Sequence, residues 1–318
     1  MVQVFRDLDA LKPFPEGAVV TIGAYDGVHL GHRAVIGEVC RQAELLAARS
    51  VVVTFDRHPA EVVRPQSAPK LLTDSSQKLE LLGSTGVDAT LVVPFDSTRS
   101  TEPAEHFVRE VLVERLGVRH VVVGGDFHFG KDRRGNVAML KTLGEEYGFT
   151  VDGLDLIDDA NDATGSTKVS STEIRRLLRE GETESASRLL GRNYEVRGIV
   201  AHGDARGRTL GFPTANVAVP TEICLPADGI YAGWYVRPSG EILPTAINLG
   251  RRPTFYDAQP YSLLEAFVID WSGDLYNEPA KVRFVKRLRA EMKFASIESL
   301  VEQMQNDVAE ARHILGVA

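Results

Sequence analysis

Two folds in tandem are expected in this chain: an α/β domain built on a parallel sheet, then an antiparallel β domain closed by a helix. Three observations predict this. Up to about residue 190, short β-rich runs alternate with helical patterns. Beyond it, strand patterns succeed one another with only turns between them. One amphipathic stretch occupies the C-terminus.

The first pattern places strands at 18–22, 51–55, 89–93, 120–124 and 150–156, with helices at 31–49, 74–83, 101–116 and 136–147. Such alternation buries a parallel sheet under helices on both faces and puts ligands at the carboxyl ends of its strands. In the first helix Ala34, Val35, Val39, Leu45 and Leu46 recur at roughly helical spacing. The second pattern predicts strands at 194–200, 229–236, 241–247, 263–270 and 281–287, the spacing of a small antiparallel barrel or sandwich. The closing helix carries Ile297, Leu300, Val301, Met304, Val308 and Ile314 on its apolar side. The expected domains are 1–184 and 185–318, and 158–163 reads as an exposed acidic loop.

A length of 318 residues fits about two domains. Hydrophobic residues make up 43% and charged residues 25%, the balance of a soluble globular protein. A net charge of −8 supplies no chain-wide basic field, which argues against broad nucleic-acid or membrane binding. Any polyanion must be held by local positive charge. The N-terminus lacks a signal-peptide pattern, and no apolar run approaches the ~18 residues a membrane span needs. Cys40 and Cys224 are far apart, so no disulfide framework is expected. A cytoplasmic protein is expected; the oligomeric state is left open.

Residues 21–32, TIGAYDGVHLGH, carry the most information. A buried strand runs into a helix there, with Gly23 and Gly27 allowing a tight turn. His29 and His32 sit three apart at the helix entrance, beside N–H groups that favour an anion. Two imidazoles so placed suit phosphoryl or nucleotidyl transfer; the plain alternative is a helix-start turn with solvated histidines. The segment Phe55-Asp56-Arg57-His58-Pro59 comes after the second strand and reads otherwise as a turn stopped by Pro59. GGDFHFGKDRRGN at 124–136 nearly spells a P-loop, but Asp132 stands where Ser or Thr is needed. That reading is rejected. Asp126, Phe127, Phe129 and the cations after them suit a planar ring beside a phosphate. In Lys168–Arg176, Ser170 and Glu173 form a capping box for a helix over 173–179. The extra hydroxyls, with Lys168 and Arg175, also make an anion site.

These motifs together, G-x-x-D-G-x-H-x-G-H and S-S-T-x-x-R, resemble the HIGH-type nucleotidyltransferase superfamily, whose fold is Rossmann-like. FDRHP, GGDFHFGKDRRGN, LLGRNYEVRGIVAHGDARGRTLGFPTAN and NLGRRPTF narrow the resemblance to the bifunctional bacterial riboflavin kinase/FAD synthetases. It runs from about Val19 to the C-terminal helix, and the G-x-P-T-A-N block is its most specific part.

The resemblance implies that the first domain adenylylates FMN with ATP. His29 and His32 then contact the phosphates. Gly23, Asp26, Gly31, Lys168, Ser171, Thr172 and Arg175 belong to the nucleotide site, and Asp126 and Phe129 to the flavin side. Ala24 stands where Asn is usual, and Lys168 where many members have Arg, which loses a bidentate fork. The second domain resembles riboflavin kinase, a six-stranded barrel. Gly203, Gly207 and Arg208 match its nucleotide loop, Thr214 and Asn216 its Mg²⁺ ligands, and Glu265 its general base. Taken alone, 213–216 reads as a turn. Strand alternation puts Glu265 on a face with Leu263 and Phe267, where burial is expected. The implied small-molecule partners are riboflavin, FMN and ATP, with FAD as product. A monofunctional kinase and a flavin-sensing regulator are the alternatives; intact His29, His32 and Glu265 weigh against both.

Overall fold

The computed structural model describes residues 2–8, 10–155, 168–202, 207, 211–250 and 261–317. The chain forms two compact units, Met1–Ser171 and Thr172–Ala318.

The first unit runs β1 (Gln3–Phe5), β2 (Ala18–Ile22), α1 (Leu30–Leu46), β3 (Arg49–Phe55), α2 (Pro59–Val63), α3 (Ser75–Gly83), β4 (Ala89–Val93), α4 (Ser97–Ser100) and α5 (Ala104–Phe107). It continues through β5 (Val118–Gly124), the two-residue strands β6 (His128–Phe129) and β7 (Gly135–Asn136), α6 (Val137–Tyr147) and β8 (Thr150–Leu154). Six strands pair in parallel in the order β1-β4-β3-β2-β5-β8. β2 and β4 are buried along their whole length, as runs of Val and Ile covered on both faces must be. One face packs Val20, Val53, Leu91 and Val121 under the 104–116 segment and α6. The other packs Val19, Val52 and Val122 under α1 and α3. The order reverses at β2, so the crevice beyond the carboxyl ends of β2 and β5 is the switch point where such sheets bind ligands.

Several local expectations are corrected. α1 ends at Leu46 because Ala47 turns left-handed (φ 47°). Its buried stripe is Ile36, Val39 and Ala43, while Leu45 is exposed. The helix expected over 101–116 is interrupted: Pro103 flanks α5, which continues as π-helical turns over Val108–Arg115. Pro59 starts a helix rather than stopping a strand, with His58 capping α2 in a reciprocal pair with Glu61. β8 ends at Leu154; Leu156 and the acidic loop 158–163 lie outside the described residues.

The second unit opens with α7 (Ser171–Glu180) and α8 (Thr183–Leu190), the latter absent from the sequence-based reading. β9 (Tyr194–Ala201), β10 (Thr214–Pro220), β11 (Gly229–Val236), β12 (Ile242–Leu249), β13 (Tyr261–Val268) and β14 (Pro279–Arg289) close into an antiparallel barrel in the order β10-β13-β12-β11-β14-β9. Its interior holds Tyr194, Tyr231, Tyr235 and Phe284, and the rings of Tyr231 and Phe284 meet edge to face at 5.2 Å. α9 (Ile297–Leu315) lies on the outside, packing Val308, Ala311 and Ile314 toward Ala232 and Ala246. Ile297, at the start of α9, is exposed rather than packed on that face. No helix among the described residues is long and apolar enough to cross a membrane.

Candidate functional site

The first site begins where β2 ends. Gly23 N–H donates to Val53 C=O (3.0 Å), holding the turn against the sheet. Tyr25 and Val28 then adopt left-handed backbone (φ 51° and 39°). For a β-branched residue this is a rare conformation, costing on the order of 1–3 kcal/mol. It is held from behind by Tyr25 Oη against Thr21 Oγ1 (2.6 Å). The Asp26 carboxylate is buried and accepts from Leu72 N–H, Thr73 N–H and the Thr73 hydroxyl at 2.9–3.2 Å. Asp26 therefore shapes this turn by pinning a neighbouring loop.

His29 caps α1: its Nδ1 accepts from His32 N–H at 3.3 Å. The two imidazoles stack with centroids 3.6 Å apart, and Tyr25 meets the His32 ring edge-on at 4.9 Å. Burial, and then the neighbouring His29, push the His32 pKa well below that of a free histidine. His32 Nδ1 is buried without a hydrogen-bond partner among the described residues. Between them, Gly31 lies in close quarters: a Cβ would lie 3.3 Å from the His29 ring and 3.4 Å from Val169 C=O. The 168–171 segment thus abuts the histidines, and the Ser171 hydroxyl donates to Asp26 C=O (2.9 Å). Lys168 is exposed. Thr172, exposed, and Arg175, buried, lie on α7 in the second unit.

Lys78 on α3 was not singled out in the sequence. It is buried, and its ammonium donates to Phe55 C=O (2.8 Å) and Ala24 C=O (3.4 Å). It thereby ties together the turns after β3 and β2. Burial lowers its pKa; the carboxylates of Asp26, Asp56 and Glu61 oppose that shift.

After β5, the 124–136 segment forms a β6–β7 hairpin rather than a phosphate-wrapping loop. Gly130 (φ 69°) and Gly135 are glycines for packing: a Cβ on either would come within 2.8 Å of Ala104 Cβ. Phe127 and Phe129 stack at 5.3 Å, and Phe129 meets Phe107, which meets Phe55, which meets Phe95. Phe55 opens the FDRHP segment singled out in the sequence; Phe95 and Phe107 carry no such signal there, because separate parts of the chain supply them. Asp126 is exposed beside this aromatic group.

In the second unit the register of three strands assembles the site. Thr214 pairs with Phe267 and Asn216 with Glu265 across β10 and β13. Glu265 pairs with Asn248, and Phe267 with Ala246, across β13 and β12. Residues 214–216 thus open a strand; only Pro213 belongs to the turn. Leu264, Ala266 and Val268 fill the barrel, which turns Glu265 and Phe267 outward. Glu265 is half-buried, not buried as alternation implied, because its face borders a cavity of about 590 Å³ instead of the packed interior. Thr214, Asn248, Glu265 and Phe267 line that cavity on the barrel side, and Leu300 and Met304 from α9. Arg289 anchors α9 by a two-pronged ion pair with buried Asp307 (2.8 and 2.6 Å). Gly207 closes onto the strand entry: its C=O accepts from Phe212 N–H, and a Cβ would lie 2.3 Å from Phe212 C=O. Gly203 and Arg208 lie outside the described residues.

Comparison with known proteins covers both units. The family described as FAD synthetase matches residues 11–173, and that described as riboflavin kinase matches 190–315. Proteins named bifunctional riboflavin kinase/FMN adenylyltransferase are similar over nearly the whole length. That of Haemophilus influenzae is 35% identical (98% of each chain). That of Pseudomonas fluorescens is 38% identical (98% of this chain, 97% of the relative), and that of Escherichia coli 35% (99% of each). A solved Streptococcus pneumoniae structure, described as a macrolide-efflux protein, shares the fold with a TM-score of 0.85 at 27% identity, covering 98% of each chain. With a parallel-sheet unit bearing the paired histidines and a closed barrel bearing Glu265, the chain belongs to the bifunctional riboflavin kinase/FMN adenylyltransferase family.

Proposed function

We propose that this chain is a cytoplasmic enzyme that phosphorylates riboflavin to FMN and then adenylylates FMN to FAD, using ATP in both steps. What supports the reading is that one chain carries two candidate sites of different construction. One is a His-x-x-His helix entrance at the switch point of a parallel sheet; the other is a Thr214–Asn216–Glu265 face beside a cavity in a closed barrel. The activities divide between 1–184 and 185–318.

In the kinase step the terminal ribityl oxygen bonds to the γ-phosphorus of ATP as the bond to ADP breaks. Glu265 takes the hydroxyl proton, a role within reach of a half-buried carboxylate lining the cavity. Thr214 and Asn216 stand two apart on one face of β10 and offer a hydroxyl and a carboxamide oxygen. That donor set fits Mg²⁺, a hard cation, and these two residues would hold it. Bound there, the ion would neutralise charge on the phosphates. Gly203, Gly207 and Arg208 form the nucleotide loop, and the apolar cavity wall takes the flavin ring.

In the adenylyl step an oxygen of the FMN phosphate bonds to the α-phosphorus of ATP and pyrophosphate leaves. No proton need move, so the side chains position the phosphates and stabilise charge. His29 and His32 face the reacting phosphates, His32 as a neutral ring. Gly23, Asp26 and Gly31 shape their turn. Lys168, Ser171, Thr172 and Arg175 hold the pyrophosphate end, while Asp126 and Phe129 meet the flavin. The test is incubation with riboflavin, ATP and Mg²⁺, then chromatography of the flavins. FMN that rises and then converts to FAD is expected. FMN alone would mean an inactive first unit, and no product a binding protein.

A further inference from the structure

Glu265 is flanked in its row by two carboxamides, and one of them has no role in proton or phosphoryl transfer. The register aligns Asn216, Glu265 and Asn248 across β10, β13 and β12, all on the outward face. Asn248 also lines the cavity that Glu265 borders. Its Oδ1 is buried and accepts no hydrogen bond from any described residue. A buried acceptor left without a donor is costly, and in native proteins it calls for an explanation. The terminal torsion of asparagine is soft, so a small rotation turns this amide toward the cavity it lines.

We propose that Asn248 is a specificity residue of the kinase site, accepting a hydrogen bond from an internal hydroxyl of the acceptor's polyol chain. This rests on the placement of phosphoryl transfer at Glu265. Neighbouring strands lie about 4.8 Å apart, so the row makes a ruler. The metal and phosphate end is at Asn216, the reacting terminal hydroxyl at Glu265, and a preceding hydroxyl of the same chain at Asn248. The remaining wall of the cavity, with Ile230, Met292, Phe294 and Met304, offers apolar surface to the ring that the chain carries. A carboxamide suits the position better than a second carboxylate, because it accepts without adding negative charge beside Glu265.

The test compares riboflavin with a flavin whose N10 chain is a pentyl group bearing only the terminal hydroxyl. Wild-type enzyme should show a KM at least fivefold higher for the truncated flavin. Asn248→Val keeps strand propensity and removes the acceptor. It should raise KM for riboflavin at least fivefold, leave kcat within about threefold, and leave the truncated flavin unaffected. Equal losses on both flavins, or no loss on riboflavin, would overturn the proposal. If Asn248→Val fails to fold, Asn248→Ala is read in the same way. The wild-type comparison stands without any variant: a wild-type KM indifferent to the internal hydroxyls overturns the proposal outright. Glu265→Gln distinguishes a wrong role for Asn248 from a wrong location for the reaction. A Glu265→Gln enzyme that still phosphorylates riboflavin at the wild-type rate would refute the placement of the site itself. Failure of the Asn248 result alone would leave that placement intact.

Discussion

The proposed phosphate sites of the two units are built in opposite ways. In the first, the site is made of turns: Gly23, His29 and the 124–136 hairpin all come after strand ends, and their geometry is held from behind by Asp26, Lys78 and Tyr25. In the second, the site is a strand face, where Thr214, Asn216, Glu265 and Asn248 are placed by the ladder itself. A turn site depends on the side chains that brace it from behind, and it carries backbone strain. A ladder site needs less support, because register fixes the position and face from which each side chain starts. Substitutions behind the site should therefore matter in the first unit and much less in the second.

The largest effect is expected where a ladder residue does chemistry. Glu265→Gln should lower FMN formation by on the order of 10²–10⁴ while FAD formation from supplied FMN stays near wild type, as separate assays on riboflavin and on FMN would reveal. Equal loss of both would join what is here kept apart. Next, His29→Ala and His32→Ala should each reduce FAD formation by roughly 10²-fold, the scale of one lost charge-stabilising contact, with riboflavin phosphorylation spared. If thermal melting shows that either variant unfolds the first unit, that histidine is a packing residue.

A smaller effect tests the support of the turn site. Lys78→Met keeps the stem and removes the donors to Phe55 and Ala24. It should slow FAD formation about tenfold, the value of roughly 1.4 kcal/mol, and leave the kinase untouched. Unchanged FAD formation would show that the two turns hold themselves. The smallest effect is a pH dependence. The folded-state pKa of His32 lies below that of a free histidine, so the unfolded chain binds a proton that the folded chain refuses. Stability from this group is present above about pH 6.5 and is lost as pH falls through that value. His32→Gln should flatten the melting temperature of the first unit between about pH 7 and pH 5; an unaltered slope would assign it to other groups.

Much of this was legible in the residues. Runs such as Ala18–Ile22 and Ala89–Val93 read as buried parallel strands, and His-x-x-His falls at the strand-to-helix turn that its flanking pattern predicts. β1 is a three-residue edge strand, too short to show a period. β10 begins with Thr214 directly after a proline, which looks like turn chemistry until β13 pairs with it. Pro59 reads as a stop or a start depending on whether the residues after it can continue a helix. The left-handed Tyr25 and Val28 were beyond reach, since side chains of those types argue against that backbone. The Phe55–Phe95–Phe107–Phe129 group and the Asn216–Glu265–Asn248 row join residues far apart in sequence; helix packing on the sheet assembles the first, and strand register the second.

The central claim is that the two reactions belong to separate sites, and mixing two crippled enzymes tests it most directly. Glu265→Gln and His29→Ala protein, each given riboflavin, ATP and Mg²⁺ alone, should yield no flavin nucleotide and FMN only, respectively. Combined, they should make FAD, because one supplies the FMN that the other adenylylates. A mixture that makes none, with each variant found to have lost both half-reactions, would contradict the account.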